Sequence, residues 1–300
     1  MTPLRTILDH EASLIAANRK SILAILASQA AFTLNDTCVK LASETMPLGE
    51  IMVLRNFVAM LSILLAGAYF GGLAWPRHIP VKPFGLRLFG EVAATVCFLW
   101  ALVHMPIADV TAIGQFSPLA ITAAGALFLG EPVGWRRWLA ALVGLAGVLL
   151  ITRPGTSAFT WAAVIAIVAN MFGVLRDLAT RAIGHRVPTL VLTLTSVVAV
   201  MATGLLRLSF ESWHVPATKE LSLMLVAGVF LALGYVTLIV SLRTGALAAS
   251  TPFRYSVIVW AILAGYFVWG ELPDLVSLTG IALLTAAGLY SFHREQVGRG

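Results

Sequence analysis

The chain has 300 residues and a net charge of +6, and 59% of its residues are hydrophobic while 11% are charged. Soluble domains contain about 45 to 50% apolar and about 25% charged residues, so this composition excludes a soluble globular protein and indicates a polytopic membrane protein. The basic residues are spread over short loops and form no patch with interleaved aromatic residues, which argues against nucleic acid as a partner.

Ten stretches are apolar enough to be membrane helices, because each crossing needs about 20 mostly apolar residues. We predict these spans at 21–42, 48–70, 84–104, 106–129, 135–152, 158–182, 188–208, 219–242, 246–269 and 275–292. The predicted tails are residues 1–20 and 294–300. No apolar segment with a small-residue cleavage site precedes Ser21, so the first span itself is expected to direct insertion into the lipid bilayer.

Basic residues predict the orientation of these spans, since loops rich in lysine and arginine stay in the cytoplasm. With the N-terminus inside, thirteen basic residues fall on the inner side and four fall outside, namely Lys40, Arg153, Arg207 and Lys219. This count predicts a multi-pass protein of the cell inner membrane with both termini in the cytoplasm.

The first span carries a polar stripe in an otherwise apolar helix. Thr33, Asp36 and Lys40 recur at helical spacing, so they line one face. Lys40 lies in the last turn, and an ion pair with Asp36 would anchor the helix end. A gating role at one mouth of a pathway is the alternative. The sixth span repeats the pair as Asp177 and Arg181, and the same two interpretations apply there.

The fourth and the ninth predicted spans, which take the same place in the two repeats described below, contain Pro118 and Pro252, respectively. A proline inside a helix removes a hydrogen bond and clashes with the carbonyl four residues back. Carbonyls freed at membrane depth are tolerated beside protein or a wet cavity. The matching breaks therefore predict flexible hinges at a binding site, and kinks that serve only packing are the alternative.

Aromatic and polar residues near these breaks are candidates for a substrate pocket of the kind that binds small organic molecules. They are Trp100, Gln115, Phe116, Tyr235, Phe253 and Tyr255. Arg254, roughly midway along the predicted ninth span, is expected to face the interior, because a lipid-facing arginine there has no partner. It either pairs with a buried acid, Glu91 or Asp109, or attracts a substrate carboxylate.

Two Gly-Glu steps follow the fourth and ninth spans. Gly130 and Gly270 fit the left-handed position that commonly ends a helix. Glu131 and Glu271 then fall near the positive end of the next helix. We interpret both steps as turns and caps.

The sequence matches itself at a nearly constant offset, which indicates a duplication. Asp36 and Lys40 meet Asp177 and Arg181 at an offset of 141, and the two Gly-Glu steps meet at an offset of 140. The two predicted repeats cover residues 21–152 and 158–293. Each holds five spans, and an odd number makes the second copy enter the membrane from the opposite side. The predicted fold is therefore all-α, with ten transmembrane helices in two inverted five-helix repeats, as in many secondary transporters.

Short motifs then indicate a family. Three features resemble the drug/metabolite transporter superfamily, specifically its EamA-type ten-helix members. They are the order Lys40, Pro47, Arg55, the "LGE" of residues 129–131 followed by "LVGLAGVLL", and the later "WGE" followed by "LTAAGLY". In size and layout the chain is similar to the YddG-type exporters of aromatic amino acids. The resemblance implies export of a small organic metabolite by alternating access, with amino acids favoured and aromatic ones first.

The expected function is transport and not catalysis. The six histidines lie at span ends or in tails, and no metal-binding, nucleophile or phosphate-loop motif is present, so we expect no cofactor and no metal. A nucleotide-like or S-adenosylmethionine-like solute and a membrane-embedded enzyme are the alternatives. Proton coupling through Asp36 and Asp177 and a uniport mechanism are both compatible with the residues. Small-residue faces suit either the join between repeats or a homodimer.

Overall fold

The computed structural model of the chain describes residues 3–71, 74–76, 78–129, 134–156, 159–244 and 250–297. Within these residues all regular secondary structure is helical. Ten segments are long and apolar enough to cross a bilayer, and we number these spans in chain order: Ile15–Ala42, Leu48–Tyr69, Val81–His104, Ile107–Ala124, Trp135–Thr152, Trp161–Thr180, Thr189–Leu208, Thr218–Leu238, Pro252–Trp269 and Leu275–Arg294. The ten predicted membrane helices are thereby confirmed.

The helices differ from the predicted spans mainly at their ends and interruptions. The α-helices are Pro3–Ala42, Leu48–Phe70, Val81–His104, Ile107–Gly114, Ser117–Leu129, Trp135–Thr152, Trp161–Ile183, Thr189–Leu208, Thr218–Thr244, Ser256–Ala264 and Leu275–Val297. Short 3₁₀ segments lie at Gly184–Arg186 and Thr251–Tyr255, and a π-helical turn lies at Gly265–Trp269. The first helix begins at Pro3, so residues 3–20, predicted as a tail, continue that helix.

The spans pack in pairs taken from the two halves of the chain. The first span packs on the eighth and the third on the sixth, while the second packs on the seventh, the fourth on the ninth and the fifth on the tenth. If each span is replaced by the span five places along the chain, the same five pairs are obtained; for example, the pair of the first and eighth spans becomes the pair of the sixth and third. The pairing thus has the symmetry that a five-helix repeat requires, because equivalent helices need equivalent neighbours.

The fifth and tenth spans approach each other closely because glycines face each other there. A Cβ atom added to Gly147 would lie 2.6 Å from the carbonyl oxygen of Gly280, and one added to Gly280 would lie 2.6 Å from that of Gly147. Close backbone approach of this kind joins membrane helices without polar contacts. These small residues therefore join the two halves of one chain.

The fourth span is interrupted for two residues, between Gly114 and Ser117. Nearby side chains donate to two carbonyl groups at this interruption, and the Phe116 N–H also donates to that of Ile113 at 3.1 Å. Asn170 of the sixth span donates from Nδ2 to the carbonyl oxygen of Ile113 at 2.7 Å. The Ser117 hydroxyl donates to the carbonyl oxygen of Gly114 at 2.9 Å. Non-helical backbone at membrane depth needs such partners, which explains why a polar asparagine lies within an apolar span.

Pro118 follows the interruption of the fourth span and starts a new helical segment, which corrects the prediction that it lies inside a helix. Pro118 is the second residue of the helix Ser117–Leu129, and Pro252 is the second residue of the 3₁₀ segment Thr251–Tyr255. Proline is well tolerated in a first helical turn, because the N–H that it lacks would have no intrahelical partner there. Pro118 therefore costs its helix no hydrogen bond. Ser250, before Pro252, is itself α-helical and residues 245–249 lie outside the described residues, so the break at Pro252 stays a prediction.

Gly270 ends the ninth span in the left-handed conformation that the sequence predicts, with φ 68° and ψ 15°. Its N–H donates to the carbonyl oxygen of Tyr266 at 3.0 Å, and the N–H of Glu271 donates to that of Gly265 at 3.0 Å. The predicted helix end at Gly270 is confirmed. The equivalent residues Gly130 and Glu131 lie outside the described residues.

Candidate functional site

Two adjacent cavities lie inside the bundle. The first, which we call the central cavity, has a volume of about 270 Å³ and is lined by the first four spans and by the sixth, seventh and eighth. The second, which we call the vestibule, has a volume of about 590 Å³ and is lined by the first, third, fourth, sixth, ninth and tenth spans. The two cavities are adjacent, and six residues line both: Phe32, Asp36, Phe98, Gly114, Ser117 and Arg176.

The vestibule lies in the half of the bundle on the side of the N-terminus. Its lining includes the first described turn of the ninth span, at Pro252 and Arg254, and the last turns of the tenth, at Ser291 and Phe292. Successive spans alternate in direction, so these helix ends belong to the side on which the first span starts. The vestibule therefore leads from that side toward the central cavity.

A buried carboxylate, Glu91 of the third span, lines the central cavity and contacts two arginines. Its side chain is 8% exposed, and its oxygens lie 3.7 Å from Arg176 Nη1 and 3.9 Å from Arg87 Nη2. Arg87 also donates from Nη1 to the Ser196 hydroxyl at 2.8 Å and from Nε to Thr180 Oγ1 at 3.0 Å. The cluster ties the third span to the sixth and seventh spans and neutralises Glu91 within the protein.

Arg176 has a second acidic partner. Its Nε lies 2.8 Å from Oδ1 of the adjacent Asp177. The side chain of Arg181, the predicted partner of Asp177, lies outside the described side chains, so that pair stays a prediction. Arg176 is therefore held between Glu91 and Asp177 at the junction of the central cavity and the vestibule.

Asp36 and Arg55 present opposite charges to the central cavity. Asp36 accepts a hydrogen bond from Asn35 Nδ2 at 2.8 Å. Arg55 is 5% exposed, and its shielded Nε has no hydrogen-bond partner among the described residues. The two side chains interact electrostatically but form no ion pair in the described part of the chain. Both side chains therefore face the cavity as well as each other.

Lys40 does not pair with Asp36, so the predicted ion pair within the first span is wrong. Its Nζ donates to the carbonyl oxygen of Met105 at 2.9 Å and lies 3.6 Å from Glu271 Oε2. It also lies 4.8 Å from the ring centroid of Trp269. The long stem carries the ammonium group past the helix end, toward the connection between the ninth and tenth spans. This contact lies on the side of the bundle opposite to the vestibule, and it gives Glu271 an ion-pairing role beyond the predicted cap.

The structure brings together most of the predicted pocket residues, but in two places. Gln115, Pro118, Pro252, Arg254 and Tyr255 line the vestibule. Tyr235 lines the central cavity. The predicted single pocket is thus divided between an outer and an inner chamber.

Three predicted pocket residues lie elsewhere. Trp100 stacks on His104, with ring centroids 4.0 Å apart, at the end of the third span. Phe116 packs against the core formed by the fifth and tenth spans. Phe253 is 40% exposed and lines neither cavity. Large aromatic side chains near a helix break are therefore as readily used for packing and for the lipid surface as for the cavity.

Arg254 is exposed and lines the vestibule, near the start of the described part of the ninth span. Ser250 is also helical and residues 245–249 lie outside the described residues, so a position midway along this span stays a prediction. The predicted ion pair with Glu91 is wrong, since Glu91 contacts Arg87 and Arg176. Asp109, the other predicted partner, lies at the start of the fourth span, on the opposite side of the bundle.

Several cavity residues escape the sequence analysis: Asn35, Asn56, Arg176, Asn170 and Ser196. The available signal is an arginine or asparagine inside an apolar span, since such residues face the bundle interior and mark substrate pathways. At the repeat offset of 141, Arg55 corresponds to Ser196, and both residues line the central cavity.

Comparison with known proteins identifies the family. The chain is 30% identical over 272 residues to the pseudopaline exporter CntI of Pseudomonas aeruginosa, covering 89% of this chain and 93% of that protein. The sequence pattern of the EamA-like transporter family matches residues 19–153. The chain belongs to the EamA-like transporter family. This EamA-like protein is also 24% identical to the S-adenosylmethionine uptake transporter of Rickettsia prowazekii, with 88% and 89% of the two chains covered.

Further relatives of this EamA-like chain vary in substrate. It is 27% identical to the riboflavin transporter of Vibrio cholerae, with 80% of each chain covered. A crystal structure with 19% sequence identity superposes with a TM-score of 0.64 over 93% of this chain and 97% of the other, which supports the fold. The drug/metabolite transporter resemblance is confirmed, while these relatives are not specifically aromatic amino-acid exporters.

Proposed function

We propose that this EamA-like transporter exports an amino-acid-like metabolite across the cell inner membrane by alternating access between two inverted five-helix repeats, residues 21–152 and 158–293. The observation that carries the proposal is the central cavity, where charged and polar side chains from both halves of the chain surround a space of about 270 Å³. In transporters built from inverted repeats the substrate site lies between the repeats, near the midplane.

Alternating access is supported by the unequal ends of the bundle. The vestibule extends from the central cavity toward the side of the N-terminus. On the opposite side, the ion pair between Lys40 and Glu271 joins the first span to the connection after the ninth. We propose that this pair is a gate that opens when the bundle rearranges. Pro118 and Pro252, which start helical segments beside the vestibule, are the proposed hinges of that motion.

An organic solute is favoured by the aromatic walls of the central cavity. Phe32 and Tyr235 meet edge to face, with ring centroids 5.3 Å apart and an interplanar angle of 81°. Phe98 lines both chambers. Small-molecule sites combine such apolar surface with a few fixed polar groups. This combination is the basis on which amino acids, with aromatic ones first, are proposed as substrates.

A second candidate substrate class is a larger solute of the S-adenosylmethionine or nucleotide type. The vestibule adds about 590 Å³ next to the central cavity and is lined by Tyr255, Gln115 and Asp177. A base or sugar would fit in this chamber while a charged head group occupied the inner one. The likeness to S-adenosylmethionine uptake transporters supports this class.

Uptake by purified protein in liposomes tests the proposed function. Labelled phenylalanine, leucine, S-adenosylmethionine and riboflavin are offered to protein-containing vesicles and to empty vesicles. We expect saturable, low-turnover flux of at least one amino acid or of S-adenosylmethionine. Flux that rises linearly with concentration would indicate a pore, and saturable flux of riboflavin alone would reject the amino-acid-like substrate.

A further inference from the structure

The four charged side chains that line the central cavity differ in how they are neutralised. They are Asp36, Arg55, Glu91 and Arg176. Glu91 and Arg176 contact each other at 3.7 Å and have further partners in Arg87 and Asp177, respectively. Their charges are therefore balanced by the protein.

Asp36 and Arg55 interact with each other electrostatically but form no ion pair in the described part of the chain. Asp36 has one described hydrogen bond, from Asn35, and Arg55 keeps a shielded Nε without a partner among the described residues. The Asn35 Oδ1 atom is likewise buried and unpartnered in that part of the chain. These two atoms are shielded from the cavity, so the groups that a ligand can meet are the Asp36 carboxylate and the rest of the Arg55 guanidinium, which both line it. The two helices that carry them hold one positive and one negative group over the same small space.

We infer that the central cavity binds the head group of a zwitterion, with the Arg55 guanidinium receiving its carboxylate and the Asp36 carboxylate receiving its ammonium group. This inference rests on the proposed transport function and names the substrate class for the same site. A planar guanidinium matches a carboxylate through two parallel hydrogen bonds. The rest of the solute extends past Phe32 and Phe98 toward the vestibule, since both residues line both chambers.

The arrangement also sets a charge rule for substrates. The four lining charges sum to zero, so a solute without net charge leaves the cavity neutral, whereas a simple anion or cation leaves one of the two groups unpaired. Leaving a buried charge unpaired is strongly unfavourable. A neutral molecule without charged groups, such as riboflavin, satisfies neither Asp36 nor Arg55.

Paired changes in ligand and protein test this assignment. The probes are L-phenylalanine, its methyl ester, which lacks the carboxylate, and N-acetyl-L-phenylalanine, which lacks the ammonium group; L-leucine and S-adenosylmethionine serve in parallel. Binding is measured by the rise in melting temperature and by competition for uptake. The variants are Arg55→Gln and Asp36→Asn, with Arg55→Lys to retain the charge and Arg207→Gln as a surface control.

We expect the wild type to bind a free amino acid about tenfold to a hundredfold more tightly than either derivative, the range for a charged hydrogen bond. Arg55→Gln should abolish the preference for the acid over the ester and leave the preference for the free amine. Asp36→Asn should abolish the preference for the free amine and leave the preference for the acid over the ester. Arg55→Lys should keep part of the preference for the acid. Gel filtration shows whether each variant is folded.

Two results would overturn the inference. The first is a loss of affinity in Arg55→Gln and Arg55→Lys that is equal for the acid and the ester. The second is binding of riboflavin with no binding of a zwitterion, which would also reject the amino-acid-like substrate but would still be consistent with a transporter. Absence of saturable flux for every probe would instead reject the proposed function together with this inference.

Discussion

Replacing Glu91 with glutamine tests whether the buried charge cluster holds the bundle together. The substitution keeps the size of the side chain and removes the negative charge that faces Arg87 and Arg176. Removing one partner of a buried ion pair costs about 3 to 5 kcal/mol, because the remaining charge stays desolvated. We expect a loss near the lower end, about 3 kcal/mol, because Arg176 keeps Asp177 and Arg87 keeps the hydroxyl groups of the sixth and seventh spans.

The assay is reversible unfolding in mixed micelles, followed by tryptophan fluorescence and helical circular dichroism. Glu211→Gln is the matched control, since Glu211 pairs with Arg207 at a partly exposed helix end, and glutamine keeps an oxygen that can accept the hydrogen bond from the Gly49 N–H. Such a pair is worth about 0 to 1 kcal/mol. The double variant of Arg87→Gln with Glu91→Gln should be less destabilised than the sum of the single variants. A Glu91→Gln loss no greater than that of Glu211→Gln would refute the structural role of the cluster.

Three further predictions concern the gate, the orientation and a surface ion pair. Lys40→Gln should lower the maximal flux and change the KM, because it removes the ion pair with Glu271. The control Lys82→Gln, on the exposed surface, should transport like the wild type. Equal flux in the two variants would reject the gate. Single cysteines are introduced at four exposed positions of a cysteine-free background, and an impermeant thiol reagent is added outside the cell. Cysteines at Thr156 and Ser212 should be labelled, and cysteines at Gly134 and His293 should not. Labelling at Gly134 would contradict cytoplasmic termini. The hydrogen bond from Arg153 lowers the pKa of Asp274 to about 2 from its ordinary 3.8. The ionised Asp274 therefore stabilises the fold above about pH 4, and this contribution is lost as the pH falls toward 2. Asp274→Asn should therefore lower the melting temperature slightly at pH 6 and not at pH 2, and an equal effect at both values would contradict this linkage.

The span pattern was predictable because hydropathy is a local property of about 20 residues, and a helix is the conformation that satisfies its own backbone groups in lipid. The end of the ninth span at Gly270 was predictable for a similar reason, since a left-handed helix end favours glycine. The interruption of the fourth span was located only approximately. It lies before Pro118, where Asn170 supplies a bond from another helix, and such a partner is not visible in a local pattern.

The charged contacts were the least predictable part of the site. Helical spacing pairs Asp36 with Lys40, yet Lys40 reaches Glu271, 231 positions later in the chain, because it lies at a helix end beside that connection. Arg254 was selected because it lies in an apolar stretch, and it lines the vestibule while Glu91, one of its predicted partners, contacts Arg87 and Arg176. Partners of buried charges depend on which helices pack together, and that pairing follows from the whole bundle.

The most direct test of the account is to fill the central cavity. Gly173 is buried and lines this cavity, and a Cβ atom added there meets nothing within 4 Å. Gly85 of the third span also has open space around an added Cβ, but it is exposed and lines neither cavity. We predict that Gly173→Phe abolishes saturable uptake into liposomes while Gly85→Phe transports like the wild type and both variants remain monodisperse. Wild-type uptake by Gly173→Phe would contradict a substrate path through the central cavity.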